Sequence, residues 1–260
     1  MKTTFNLIRV IAVNTFKEAV RDRILYTLIL FALFMIMGSV LIGNLAIGGQ
    51  LKIVKDMGLA SISVFGMLIA IFIGIGLINK EIEKRTIYTI LAKPISRGLF
   101  LLAKFSGLAL VLLFEVLLMT IGFLFLIFII ERTFEFVLLK AIFLIYLELL
   151  VITAVAVLFS CFSAGVALKG IFCLAIYVAG HLTAEVKMIT SQSLNSLMKF
   201  AATGFYYILP NLENFNIKSE VVLGTYVSWK YLVLSGGYAF LYITAVLAVA
   251  TVIFKNRDFN

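Results

Sequence analysis

The sequence predicts an all-α polytopic membrane protein: six transmembrane helices, an amphipathic helix before the first, and a short helix in the loop between the second and third. Three observations predict it. Hydrophobic residues make up 63% of the 260 and charged ones 13%, whereas soluble domains average about 45–50% and about 25%. Six runs reach the roughly 20 apolar residues that a helix needs to cross a hydrocarbon core about 30 Å thick. The two densest basic clusters fall on the same side of the membrane once the runs are threaded through it, as the positive-inside rule requires.

The first element is "TFNLIRVIAVNTFKEAVRDR", within residues 1–23. Phe5, Ile8, Ala12, Phe16 and Ala19 share one helical face, and Lys17, Glu18, Arg21 and Asp22 lie on the other. That periodicity predicts a helix lying in the membrane interface rather than a solvated start of the first span. The stretch lacks the short basic region and small-residue cleavage pattern of a signal peptide. Arg21 and Arg23 then sit at headgroup level as anchors.

The spans follow at Ile24–Gly43, Leu59–Asn79, Leu99–Ile130, Phe136–Phe159, Gly165–Ala184 and Tyr231–Phe254. The third run is longer than a crossing needs, so its beginning, up to Lys104, is expected at the membrane surface. Lys2, Arg9, Lys17, Arg21 and Arg23 form one basic cluster, and Lys80, Lys84, Arg85, Lys93, Arg97 and Lys104 the other. Placing both inside puts the N-terminus in the cytoplasm, and an even number of spans returns the C-terminus to the same side. One transmembrane domain accounts for residues 1–260, with no internal repeat. The outer loop, 185–230, is only half polar, and "GFYYILPNLENFN" together with Trp229 and Tyr231 puts aromatics at the headgroup level. Short outer-leaflet helices are expected there, one of them ended by Pro210.

Several function classes drop out. The net charge of +9 belongs to cytoplasmic loops facing anionic lipid, because no basic patch alternates with exposed aromatics as nucleic-acid binding requires. Cys161 and Cys173 lie in apolar runs and read as buried thiols rather than a disulfide framework. His181 is the only histidine and has no second ligand at metal-binding spacing, so no metal site is expected.

The loop between the second and third spans, 80–98, concentrates charge: "KEIEKRTIYTILAKPISRG". Glu81 and Arg85 stand at i and i+4, a pair worth about 0.3–0.5 kcal/mol on a helix. Ile87, Ile90 and Leu91 form a small apolar stripe, and Lys93 before Pro94 is biased out of the helical region, ending the helix there. The stripe fits either a lipid interface or a protein cleft.

The longer stretch "KEIEKRTIYTILAKPISRGLFLLAKFSG" resembles the signature loop of type-2 ABC-exporter permeases, through Glu81, Glu83, Thr86, Ile87, Leu91, Pro94, Arg97 and Lys104. The resemblance extends to "FKEAVRDRIL", to the six spans and to "YYILPNLENFN" before the last of them. Within that family the pattern is most similar to permeases like that of the exporter serving nitrous-oxide-reductase maturation. The resemblance implies that the 80–98 helix is a coupling helix seated in a cytoplasmic ATPase subunit. Ile87, Tyr88, Ile90 and Leu91 would fill that subunit's cleft, with Glu81, Glu83, Arg85 and Thr86 positioning the helix, Pro94 ending it, and Arg97 and Lys104 anchoring its exit at the headgroups. It also implies two permease chains and two ATPase copies in a bacterial or archaeal cytoplasmic membrane, a homodimer being the simplest pairing. The sequence holds no G-x-x-x-x-G-K-[ST] phosphate loop, so the chain itself is not expected to be an enzyme, and ATP and Mg would be bound by the partner.

Glu115 and Glu148 fall inside spans, where an ionisable group costs a few kcal/mol and is a site hypothesis by default. They read either as part of a cargo or proton path or, more simply, as interhelical hydrogen-bonding groups. An ion-gradient-driven secondary transporter using these two acids is the alternative, though the paired Gly/Pro breaks of such transporters are missing. An intramembrane enzyme would need a catalytic set that a lone His181 does not supply.

Overall fold

A computed structural model describes residues 2–45, 49–83, 96–133, 135–162, 164–183 and 208–256, whose regular structure is all helical. Those residues form α1 (Lys2–Val20), α2 (Arg23–Leu45), α3 (Gln50–Glu83), α4 (Arg97–Glu131), α5 (Val137–Ser160) and α6 (Val166–His181), then a 3-10 turn (Leu212–Phe215), α7 (Lys218–Val222) and α8 (Trp229–Lys255). Five of these, α2, α3, α4, α5 and α8, are long and apolar enough to cross a membrane. Within the run expected at 165–184, α6 spans 16 residues, about 24 Å at 1.5 Å per residue. Gly165 is its N-cap and Leu182 its C-cap.

The α3 helix is the centre of the bundle and packs against α2, α4, α5, α6 and α7. It begins nine residues before the expected second span because 51–58 is itself amphipathic: Val54, Lys55 and Gly58 face inward while Lys52 and Asp56 face out. Glycine lets α5 approach it closely, since a Cβ on Gly66 would lie 2.5 Å from Leu149 Cδ1. The core is almost wholly aliphatic, with Leu59, Ile62, Leu144, Leu149 and Val151 fully buried. At the far ends of α3 and α4, Lys55 Nζ pairs with Glu135 at 2.6 Å and Glu131 at 3.5 Å.

The start of α4 corrects the sequence reading. Ser96 caps the helix, its hydroxyl accepting from the Leu99 amide, and Phe100, Leu101, Ala103 and Lys104 are buried rather than spread on the membrane surface. Phe100 stacks on Phe254 of α8 with ring centroids 6.1 Å apart. The sequence alone could not reveal this, because a lipid-facing and a protein-facing apolar turn look the same.

The α1 helix docks on α4 along Ala12, Thr15 and Ala19, all buried, with Phe16 edge-on to Phe114 at 6.0 Å. Predicted face residues Ala12, Phe16 and Ala19 thus meet protein, and Thr15 joins them by satisfying its hydroxyl on the Ile11 carbonyl at 2.9 Å. Arg9, Val10, Val13 and Asn14 line the opposite, open face.

The limb from Ile208 to Asn214 runs antiparallel along α8. Tyr242 donates to the Ile208 carbonyl at 3.1 Å, the Asn211 amide donates to Tyr238 Oη at 2.8 Å, and Tyr231 donates to the Asn214 carbonyl at 2.9 Å. Tyr242 lies 13 residues into α8, about 20 Å from its start. The limb therefore reaches well into the bundle before rising through the 3-10 turn to α7. Non-helical backbone survives at that depth only if its polar groups are met by protein, and the tyrosines meet them. Leu212, Phe215, Ile217 and, within α7, Val221 are buried.

Candidate functional site

Two features carry chemistry: the base of the 80–98 loop and the acids at membrane depth. Of the expected coupling-helix residues, Arg85, Thr86, Ile87, Tyr88, Ile90, Leu91 and Pro94 lie outside the described residues. What the structure describes is the pair of stems from which that segment springs. Glu81 and Glu83 close α3, and Arg97 opens α4.

The stems are braced by charge. Lys104 Nζ lies 2.6 Å from Glu81 Oε1, with side chains only 1% and 12% exposed. This differs from the expected headgroup anchor: Lys104 points into the bundle and ties the first turns of α4 to the last turns of α3. Arg97 does not merely face headgroups either. Its guanidinium donates to the carbonyls of Phe254 and Lys255 at 2.9 and 2.8 Å. A cation at the last carbonyls of a helix satisfies orphan acceptors and complements the helix dipole, so Arg97 joins α4 to the end of α8. A weaker contact, Lys80 to Asp22 at 3.5 Å, reaches the corner between α1 and α2. With Lys80 half exposed, that pair is worth at most about 1 kcal/mol. Asp22 also caps α2 by accepting from the Ile24 amide at 3.1 Å.

A second tie lies nearby. Lys169, 2% exposed, donates to Asn79 Oδ1 at 2.6 Å and approaches the Ser160 carbonyl at 3.4 Å. It joins the starts of α6 to the ends of α3 and α5. The remaining anchor residues keep surface positions: Arg21 and Arg23 are exposed, and Trp229 is 66% exposed.

Both acids are fully buried, but they are not one pair. Neither oxygen of Glu115 has a hydrogen-bond partner among the described residues. Glu148 makes no hydrogen bond among the described residues either, but it faces His181, whose Nε2 lies 3.4 Å from Oε1. The other ring nitrogen, Nδ1, is 3.1 Å from the Tyr177 carbonyl. A carbonyl only accepts, so Nδ1 carries a proton, and a bond between Nε2 and Glu148 needs one further proton held between them. Tyr177 packs against the imidazole with centroids 4.6 Å apart, and its hydroxyl lies 3.3 Å from Ser63 Oγ. The cluster thus links α3, α5 and α6 directly below the limb that begins at Ile208. The next turn shows the closeness, for a Cβ on Gly180 would meet the Pro210 carbonyl oxygen at 2.8 Å.

Sequence reasoning passed over Tyr177 and missed this role of His181, because the histidine was weighed only as a metal ligand or a catalytic group. A signal was present: His181 and Tyr177 stand at i and i+4 on one helical face, where a membrane-depth acid can find a partner. A double-mutant cycle of His181→Ala and Glu148→Gln, followed by denaturation in mild detergent, should give a coupling energy of about 0.5–3 kcal/mol. A value indistinguishable from zero would mean that the pair is not formed.

No group of three or more His, Cys, Asp or Glu side chains suited to a metal ion occurs among the described residues. Both cysteines are buried free thiols.

Five helices long and apolar enough to cross a bilayer, with charge gathered on the stems of one loop, define a multi-pass membrane protein. The family model described as ABC-2 family transporter protein matches residues 9–259. The chain belongs to this family. No curated protein matches it.

Proposed function

We propose that the chain is the permease subunit of an ATP-driven exporter, moved through residues 80–98 by a separate nucleotide-binding subunit. The observation that carries this reading is the bracing of the loop stems: Glu81 to Lys104, Arg97 to the end of α8, and Lys80 to Asp22. Coupling needs a two-state element that both sites can bias. A push on residues 84–95 would pass at once to α3, α4, α8 and the α1–α2 corner.

On this reading Ile87, Tyr88, Ile90 and Leu91 enter a cleft of the ATPase, Glu83, Arg85 and Thr86 set the helix's position, and Pro94 ends it. ATP and Mg are bound by that partner, of which the exporter holds two copies against two copies of this chain. The loop end of the bundle and both termini face the cytoplasm of a bacterial or archaeal cell, and the apolar run 165–184, which contains α6, supplies the sixth crossing. Within the family, the stretch 80–104 groups the chain with permeases like that of the nitrous-oxide-reductase maturation exporter.

Expressed together with its ATPase, the chain should co-purify with it, and the double substitution Ile87→Asp and Leu91→Asp should release the ATPase while the permease stays membrane-inserted. Retention of the ATPase at wild-type stoichiometry would refute the coupling role. The buried Glu148–His181 pair favours a second reading, an ion-gradient-driven transporter. That reading requires cargo movement in ATP-depleted vesicles under an imposed gradient, and its loss in Glu148→Gln.

A further inference from the structure

The proposed coupling leaves unused a groove between α5 and α8 at the end of the bundle where α8 begins. It encloses about 720 Å³ and runs between Val137 and Phe143 on one side and Leu232, Val233 and Gly236 on the other. Both helices start at this end, so the seven helical steps from Trp229 to Gly236 make it about 10 Å deep at 1.5 Å per residue. Among the described residues, every lining residue is apolar but one.

The exception is Lys140, at the mouth. Its ammonium donates to the Val227 carbonyl at 2.8 Å and sits 4.8 Å from the Trp229 ring and 5.3 Å from the Tyr226 ring. An ammonium has three donors, and the carbonyl takes one. The two aromatic faces attract the charge without neutralising it, so a cation is held in place with donors to spare. Among the described residues no acidic side chain lines the groove. Trp and Tyr of this kind mark the headgroup level, and Phe136 and Val233 turn 76% and 73% of their surface outward, toward lipid.

We infer that this groove is a binding site for one membrane lipid with an acidic headgroup. Its phosphate meets Lys140 between Trp229 and Tyr226, and the upper part of one acyl chain lies against Val137, Phe143, Leu232 and Val233 down to Gly236. Charge complementarity selects the occupant: an apolar slot open to the bilayer accepts any acyl chain, but a fixed, unneutralised cation at its mouth favours an anionic lipid over a zwitterionic one. The inference rests on the chain being a membrane protein and is independent of how ATP is coupled.

Trp229 is the only tryptophan, so its fluorescence reports on the mouth of the groove. The full chain is reconstituted in phosphatidylcholine nanodiscs holding rising fractions of either phosphatidylglycerol or phosphatidylcholine brominated high on the acyl chain. Brominated phosphatidylglycerol should quench Trp229 at a several-fold lower fraction than brominated phosphatidylcholine. Lys140→Gln should make the two lipids equivalent, Lys140→Arg should keep the preference, and Gly236→Leu, which fills the floor, should weaken quenching by the acidic lipid. Equal quenching by both lipids in the wild type would overturn the site. So would a preference that survives in Lys140→Gln. Absence of quenching by either lipid would mean that protein, such as a second copy of the chain, covers this face, and would overturn it as well.

Discussion

Replacing Lys104 by methionine is expected to destabilise the permease by about 3–5 kcal/mol, the usual cost of breaking a buried ion pair by removing one member. Methionine keeps the length of the side chain, so packing against Phe100 is largely retained. The loss instead falls on Glu81, whose carboxylate is 12% exposed and faces the lysine at 2.6 Å. The partner substitution isolates the cause. Adding Glu81→Leu to Lys104→Met removes the other charge of the pair, and replacing both members of a buried pair by apolar groups is often neutral. Denaturation of the three variants in mild detergent checks this: the double variant should recover most of the stability lost by the single one. A double variant as unstable as Lys104→Met would show that the ion pair is not what holds α3 to α4. ATPase stimulation by the recovered variant provides a separate reading. If the pair serves only stability, coupling returns with it, whereas if the charges position the loop, coupling stays low in a well-folded protein.

The second large effect is expected at Gly107. A Cβ placed there would lie 2.6 Å from Thr15 Cβ and 2.8 Å from the Ala12 carbonyl oxygen. The second of these is backbone and cannot rotate away, so α1 must move. Gly107→Ala should cost about 1–3 kcal/mol, as overpacking does, and Gly107→Leu should lift α1 from α4. The displacement is directly measurable, because Cys161 and Cys173 are buried. A cysteine introduced at Thr15, which is fully buried, should resist a water-soluble maleimide in the parent and react at least several-fold faster in the Gly107→Leu background. Unchanged labelling would mean that α1 does not dock on this face. Thr15→Gly should recover part of the loss in Gly107→Ala by opening the space its Cβ occupies.

Both effects arise where the sequence was least informative, and for one physical reason. Periodicity reports that a face is apolar but not what covers it. The α1 face of Ala12, Phe16 and Ala19 was legible as a stripe, and the interface was the natural place to put it. That it meets a helix rather than lipid depends on Gly107, more than eighty residues away, having no side chain. Lys104 shows the same limit from the polar side. Near a membrane end a lysine reads as an anchor for headgroups, and only the arrival of Glu81 at 2.6 Å turns it inward. Glu148 was legible as a costly group, but its partner lies on α6 and comes within reach only when α5 and α6 pack together.

Length and apolarity determined the rest locally. A helix in hydrocarbon satisfies its own backbone, so the runs that became α2, α3, α4, α5 and α8 needed no knowledge of their neighbours, and their centres stand where hydropathy placed them. The capping of α4 by Ser96 and the start of α8 beside Trp229 are local too. By itself, then, the sequence determined the class of protein, the centres of its long spans and the loop where charge gathers. The tertiary structure decided which charges pair, that α1 rests on α4, and that the limb from Ile208 descends beside the tyrosines of α8. Each of these is a contact between residues far apart in the chain, and no local pattern encodes a contact of that kind.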